Sequence, residues 1–431
     1  MNLDSLTPYI SDVTNTWQAL LISVASAIVL AFVFLILVYC CAAPIMWISI
    51  FGVIGASGFF GWYYWDRASD FAGRSDNSEN WYKAIGVLLW ITCGIIFILC
   101  CCCYDKIRVA LAVITAAAHF VMNTKRILFH PLLLALCFVL WFAVWLVGAV
   151  YIFSVGTITK HPSYPIAEVD WDETTRYVVI YFIFGLLWVN AFFIAMFQFT
   201  IAVAAATWYF SYGTDHSGAK ICKGICWGMG YHAGSLAFGS FLLALIWMIQ
   251  LVFEYWRKKM ESMNAGENKC MKCMICCIRC CLDCLNRCIK FVTKNAYIQI
   301  ALTSKSFCFA AIDAFFLILR NVMRFGITHA IAWIFLLLGK AVIAGGATFI
   351  GYLCVEYWLE KEVDLNNSFV PLIVFFVATY VIATVFLNVY SMGADTILQC
   401  FLLDEELNRG AGGANARPPA MKGLVKELKK K

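Results

Sequence analysis

Residues Gln18 to Cys41 read QALLISVASAIVLAFVFLILVYCC, twenty-four positions without one charged side chain. As a helix rising 1.5 Å per residue they extend about 36 Å, enough to cross the roughly 30 Å hydrocarbon core of a bilayer. A surface helix of a soluble domain needs a polar face, and this stretch has none. It is a membrane span, and the same pattern recurs along the chain.

Hydropathy marks seven further spans: Pro44 to Trp65, Ala84 to Cys103, Leu128 to Phe153, Val178 to Trp208, Tyr231 to Tyr255, Thr328 to Val355 and Phe369 to Tyr390. Val109 to Thr124 is a ninth candidate, short and carrying His119 and Asn123; it reads either as a crossing helix or as an amphipathic surface helix. Over all 431 residues, 63% are apolar and 13% charged, against about 45–50% and 25% in soluble domains. The chain is expected to be an all-α polytopic integral membrane protein of about nine transmembrane helices, eight clear and one short, with cytoplasmic amphipathic helices besides. Residues 1–408 form the transmembrane domain, including a cysteine-rich segment at 257–306, and residues 409–431 form a flexible basic tail.

The net charge of +6 is not a nucleic-acid footprint, because the Lys and Arg residues flank spans, where they set topology. Ten of them lie between Arg257 and Lys305 and seven more follow Ser391; both segments are expected on the cytoplasmic side. The hairpin between them places Asn366, in the sequon Asn366-Asn367-Ser368, outside as a candidate for N-glycosylation. Counting nine spans also puts the first residues outside and gathers Cys40, Cys41 and Cys100 to Cys103 at cytoplasmic span ends. The opening Met1-Asn-Leu-Asp lacks a basic n-region, and its first apolar run is too long for a cleavable signal.

Twenty-one cysteines in basic segments or spans do not read as a disulfide scaffold. Eight of them lie between Cys270 and Cys288, with C-x-x-C pairs that suit zinc. Yet Cys273, Cys277, Cys280, Cys284 and Cys288 follow a helical stripe with Lys272, Arg279 and Arg287 interspersed and no Gly or Pro to turn the chain. An amphipathic helix with acylated or membrane-facing thiols fits better than a metal site.

Gly52, Gly55, Gly58 and Gly61 recur every third position of the second span, a pattern for close helix packing or for a hinge. Lys340 stands near the middle of the span Thr328 to Val355, where an ammonium costs about 2.5–3.5 kcal/mol on insertion scales; it serves either structure or gating and coupling. Aromatic residues make up 16% of the chain. Most anchor or fill the spans, but Trp141 and Trp145, with Trp188, Phe192, Phe193 and Gln198, could frame a quaternary ammonium, each ring adding about 0.5–2 kcal/mol. No G-x-S-x-G, H-E-x-x-H or Walker motif occurs, no cofactor is implied, and a membrane enzyme of lipid metabolism would need paired His/Asp or Asp/Asp residues that are missing.

Tyr231-His-Ala-Gly-Ser-Leu-Ala-Phe-Gly239 resembles a stretch of the choline transporter-like family. The resemblance continues through the cysteine-rich helix to Asn295-Ala-Tyr-Ile298, Phe307-Cys308, Asp313-Ala-Phe-Phe316, Arg320-Asn321, Leu338-Gly-Lys340, Tyr390-Ser-Met392, Asp395-Thr396, Cys400-Phe401 and Arg417-Pro418. It implies a carrier of choline, or of ethanolamine or another organic cation, independent of sodium and exchanging against protons, in the plasma membrane rather than an endomembrane or mitochondrial membrane. Family members begin with a further span and a large external loop, which this sequence does not carry ahead of Gln18. The resemblance adds Tyr231 to the substrate-binding candidates and His232 and Asp395 to Lys340 as candidates for gating or coupling. The partners expected are a small organic cation and membrane lipids; the alternative is a non-transporting scaffold that uses the cysteine-rich segment.

Overall fold

The computed structural model describes residues 7–71, 78–160, 167–170, 172–211, 219–262, 269–359, 369–408, 418 and 421. It is an all-α polytopic membrane architecture, with one antiparallel hairpin of two four-residue strands, β1 Thr157–Lys160 and β2 Ala167–Asp170. Among the described residues seven helices are long and apolar enough to cross a membrane, or eight if a bent pair is one span. The helices gather into two compact units: residues before Arg126 and from Asn321 onward form the first, and Arg126–Arg320 supply the second.

The first unit contains α1 Thr7–Asn15, α2 Trp17–Ala68, α3 Ser78–Cys102 and α4 Tyr104–Asn123. In the second unit lie α5 His130–Ser154, α6 Glu173–Phe210, α7 Ile221–Gly230, α8 Ala233–Ser262, α9 Lys269–Thr303 and α10 Phe307–Arg320. The chain then returns to the first unit as α11 Val322–Cys354 and α12 Phe369–Leu407.

Two of the spans read from hydropathy, Gln18 to Cys41 and Pro44 to Trp65, follow one another in α2 and meet at a kink; counting α2 as one helix accounts for part of the difference from nine. At 1.5 Å per residue the arms on either side of the kink are each about 35–40 Å long, enough to cross the hydrocarbon core. The one non-helical residue of α2 is Cys41 (φ −134°, ψ 40°), three before Pro44. Proline lacks an N–H and its ring crowds the carbonyl four residues back, so the break falls where the ring forces it. The rest of the difference is α4. That helix opens with Asp105, Lys106 and Arg108 and buries eleven of its twenty residues, packing among α2, α11 and α12. It is an internal helix of the first unit, not an amphipathic helix on a surface.

Small residues build the first unit. Ala19, Ser23, Ala27 and Ala31 recur every fourth position of α2 and are all buried, facing α11. A Cβ on Gly339 would fall 2.6 Å from the Phe34 ring, and one on Gly351 would fall 1.9 Å from Ser23 Oγ. Apolar side chains gain nothing by leaving lipid for one another, so helices in a bilayer associate where backbones can approach. The Tyr390 hydroxyl, fully buried, donates to the Ile114 carbonyl at 2.6 Å and ties α12 to α4. Of the glycines in the second half of α2, Gly61 meets Trp90 and Gly86 of α3, whereas Gly52 and Gly55 face open space. Gly58 lies in the same seam, its carbonyl accepting from Trp90 Nε1 at 3.3 Å, so Gly58 and Gly61 mark where α2 packs on α3.

In the second unit Asp172 caps α6, its side chain accepting the Thr175 N–H at 3.1 Å, which holds the carboxyl below its usual range. Between α9 and α10 the axis turns by 102°. Ser304 takes a left-handed φ of 58° and donates its N–H to the Ile300 carbonyl, a C-cap that ends α9. Lipid-facing character varies by helix: 6% of the most apolar window of α3 is buried, against 39% for α11. The expected glycosylation site Asn366 and all of the tail but residues 418 and 421 lie outside the described residues.

Candidate functional site

The aromatic residues nominated from sequence divide between two seams of the second unit. Phe193 and Trp145 join the α5–α6 seam. Trp145 stacks on Phe182 at 5.0 Å and on Phe142 at 5.8 Å, and its Nε1 donates to the Phe182 carbonyl at 3.1 Å. Phe193 sits edge-on to Phe138 at 6.3 Å. Trp141 lies on the same helix, α5, with a buried indole N–H that has no acceptor among the described residues.

Trp188 and Phe192 instead face the first turns of α8, at Leu236 and Ala237. Trp188 Nε1 donates to the Ala237 carbonyl at 3.0 Å, and the ring meets Phe241 edge-on at 5.6 Å and Phe184 at 6.1 Å. Phe192 packs against a core that includes Leu236, Tyr297 and Phe307. Residues one helical turn apart share a face, so α6 presents Phe184, Trp188 and Phe192 together. Trp188 remains 37% exposed, which leaves ring surface open beside Phe184 and Phe241. Gln198 is half-buried on α6 beyond these rings. Tyr231, at the end of α7, is 82% exposed and stands apart from them. His232 rests against Phe199 at 5.5 Å.

Three of the separate motif stretches meet at one point. A Cβ on Gly239 would lie 2.5 Å from Tyr297 Oη and 2.6 Å from Phe307 Cε2, so residues from α8, α9 and α10 converge where a side chain would not fit. Phe238 and Phe307 are edge-on at 5.5 Å, and Tyr297 and Phe307 at 6.0 Å are tilted.

The first unit holds the candidates Lys340 and Asp395. Asp395 on α12 is buried, and His329 Nδ1 on α11 lies 3.3 Å from its Oδ1. His329 stacks flat on Phe325 at 5.9 Å, and its side chain is partly exposed. His329 did not emerge from motif reading; an ionisable residue inside a span is signal enough to nominate it. Lys340 is half-buried on α11 and makes no ion pair or hydrogen bond among the described residues. An apolar cavity of about 140 Å³ lies among α2, α3, α4 and α11, lined by residues such as Ile50, Val53, Ile96, Cys103, Ile107 and Ile331. With neither ring nor polar atom in its wall, it offers nothing to a cation.

The cysteine stripe occupies the first two-thirds of α9. Cys273, Cys276, Cys277, Cys280, Cys281, Cys284 and Cys288 are all free and exposed. No group of three or more metal-ligating side chains is found among the described residues.

The family model described as plasma-membrane choline transporter matches residues 87–406. The chain is 30% identical to choline transporter-like protein 5-B of Danio rerio, over 94% of this chain and 66% of the relative. It is 29% identical to choline transporter-like protein 5 of Xenopus tropicalis, over 93% and 64%, and 27% identical to choline transporter-like protein 4 of Rattus norvegicus, over 97% and 67%. The chain thus spans about two-thirds of the length of these relatives. With a match across three-quarters of its residues and apolar helices throughout, it is a multi-pass membrane protein that belongs to the plasma-membrane choline transporter family.

Proposed function

We propose that the chain carries choline or a closely related organic cation, ethanolamine included, across the plasma membrane. The family match over residues 87–406 carries this reading, and the meeting of motif residues Gly239, Tyr297 and Phe307 supports it. A quaternary ammonium offers no ordinary hydrogen-bond donor, so recognition falls to ring faces and oxygen dipoles. Phe184, Trp188 and Phe241 supply three rings; at about 0.5–2 kcal/mol per ring, the upper value needing full desolvation, they provide at most about 6 kcal/mol. That corresponds to binding between millimolar and micromolar, weak enough for release on the far side. A negative interior drives uptake by about 2.3 kcal/mol per charge per 100 mV.

Asp395 and His329 are the pair we assign to proton coupling. A buried carboxylate facing an imidazole in a span can hold a proton on either partner and change the local charge by one. Labelled choline uptake by the full chain in proteoliposomes tests both assignments. Saturable flux that Trp188→Ala lowers at least tenfold supports the ring site, and Asp395→Asn should abolish the response to an imposed pH gradient. Absence of saturable flux from correctly folded protein overturns the transport reading in favour of a scaffold.

A further inference from the structure

The first two-thirds of α9 lie against the second unit by one face only. Asp283 accepts from Gln250 of α8 at 3.1 Å, Asn286 donates back to Gln250 Oε1 at 3.1 Å, Ile289 packs beside Ala244 and Trp247, and Lys290 lies over the Trp247 ring. Cys284 and Cys288 stand two residues from Asn286 and Lys290, about 200° around the helix. Cys277, Cys281, Cys284 and Cys288 therefore point away from the protein to which α9 is docked, Cys273 and Cys280 lie toward its flank, and Cys276 is exposed on the Asp283 side.

Cysteine is among the most buried residue types because it behaves as a small hydrophobe. Here seven cysteines share an exposed arc. Met274, Ile278, Leu285 and Val292 extend the exposed apolar surface, while Lys272, Arg279 and Arg287 are exposed within the same five turns. Apolar surface interleaved with cations holds a helix at the headgroup level of a bilayer, neither in water nor in the hydrocarbon. The basic flanks assign this level to the cytoplasmic leaflet.

We propose that the outward face of α9 is a multi-site S-acylation surface, modified at Cys273, Cys277, Cys280, Cys284 and Cys288 and at the flanking Cys276 and Cys281. In each step the cysteine sulfur attacks the thioester carbonyl of a fatty acyl-coenzyme A. A new sulfur–acyl bond forms, the acyl bond to coenzyme A breaks, and coenzyme A leaves as its thiol with the proton the cysteine gives up. No oxidant or reductant takes part. The thiols sit at the depth where an acyl chain enters the leaflet beneath them, so the modification turns a reversible surface contact of α9 into a stable anchor. This inference is independent of the cargo.

The test is mass-tag exchange on the full chain in membranes of mammalian cells: free thiols are blocked, thioesters are cleaved with neutral hydroxylamine, and the released thiols are tagged. A hydroxylamine-dependent ladder of several rungs is expected. It should collapse when Cys273, Cys276, Cys277, Cys280, Cys281, Cys284 and Cys288 are replaced by Ser and persist when Cys222 and Cys226, exposed on α7, are replaced instead. No ladder, or a ladder unchanged by the seven substitutions, overturns the proposal. If the substituted chain does not accumulate, hydroxylamine-sensitive acyl groups are mapped on wild-type peptides covering Cys273 to Cys288, and their absence overturns it equally. Stoichiometric zinc that survives dialysis of the wild-type protein also overturns it, because the thiols would then be metal ligands.

Discussion

Replacing Gly239 with Ala probes the point where the motif stretches meet. The new Cβ would fall 2.5 Å from Tyr297 Oη, 2.6 Å from Phe307 Cε2 and 2.9 Å from Tyr297 Cε1. Both residues are buried, so neither ring can swing aside without disturbing Leu236, Met196 and Ala310 in the same core. Overpacking of this kind costs about 1–3 kcal/mol, and three ring atoms inside 3 Å place it in the upper half of that range. Alanine in a helix is favoured over glycine by about 1 kcal/mol, leaving a net loss of about 1–2 kcal/mol. For a unit of this size each kcal/mol moves Tm by about 2–4 °C, so Gly239→Ala should melt about 2–8 °C lower. Gly185, inside α6 with nothing near its Cβ position, supplies the control: Gly185→Ala keeps the helical gain without the clash and should melt at or above wild type. Thermal scans of purified protein followed by size-exclusion chromatography measure both. In the Gly239→Ala background, Tyr297→Phe removes the nearest atom and should restore part of the loss. A Gly239→Ala chain as stable as Gly185→Ala would refute the convergence of α8, α9 and α10.

Two further tests concern the first unit. Tyr390→Phe removes a buried hydrogen bond to the Ile114 carbonyl, and should lower stability by about 1 kcal/mol and Tm by about 2–4 °C; an unchanged Tm would show that the α4–α12 link adds nothing. Arg324→Ala breaks a partly exposed ion pair with Glu405, worth about 0–1 kcal/mol. Its effect should be smaller than that of Tyr390→Phe and should shrink further in high salt.

Much of the fold is legible from hydropathy because lipid-facing helices must be apolar all round. Six of the spans read from sequence coincide with α3, α5, α6, α8, α11 and α12, though α12 runs on to Leu407 past the end expected at Tyr390. Hydropathy is silent where protein replaces lipid. The interior helix α4 can carry His119 because α2, α11 and α12 pack around it, and its charged first turn lies at an exposed end, so its hydropathy resembles that of a surface helix. Pro44 reads as a boundary between spans, and the two arms of α2 meet at a kink beside it, at Cys41. At the candidate site, residue type nominated the rings, but only helix rotation divides Trp188 and Phe192 from Trp145 and Phe193. The partnership of His329 with Asp395 joins residues 66 apart, a separation at which sequence carries no local signal. The cysteine stripe was visible as a helical period, whereas its docked face depends on Gln250 of α8, which no pattern in α9 reveals.

The first unit is assembled from two distant pieces of chain, with the whole of the second unit threaded between them. During synthesis, α2, α3 and α4 emerge about two hundred residues before α11 and α12, an interval of about 10–40 s at 5–20 residues per second. Through that interval the faces of α2 and α4 that meet α11 and α12 have only lipid, water or the insertion machinery in their place. The second unit is contiguous and meets no such delay. The first unit is therefore the half of the molecule exposed to misassembly, and slowing translation after residue 125 should lower the yield of folded chain by lengthening the wait for α11.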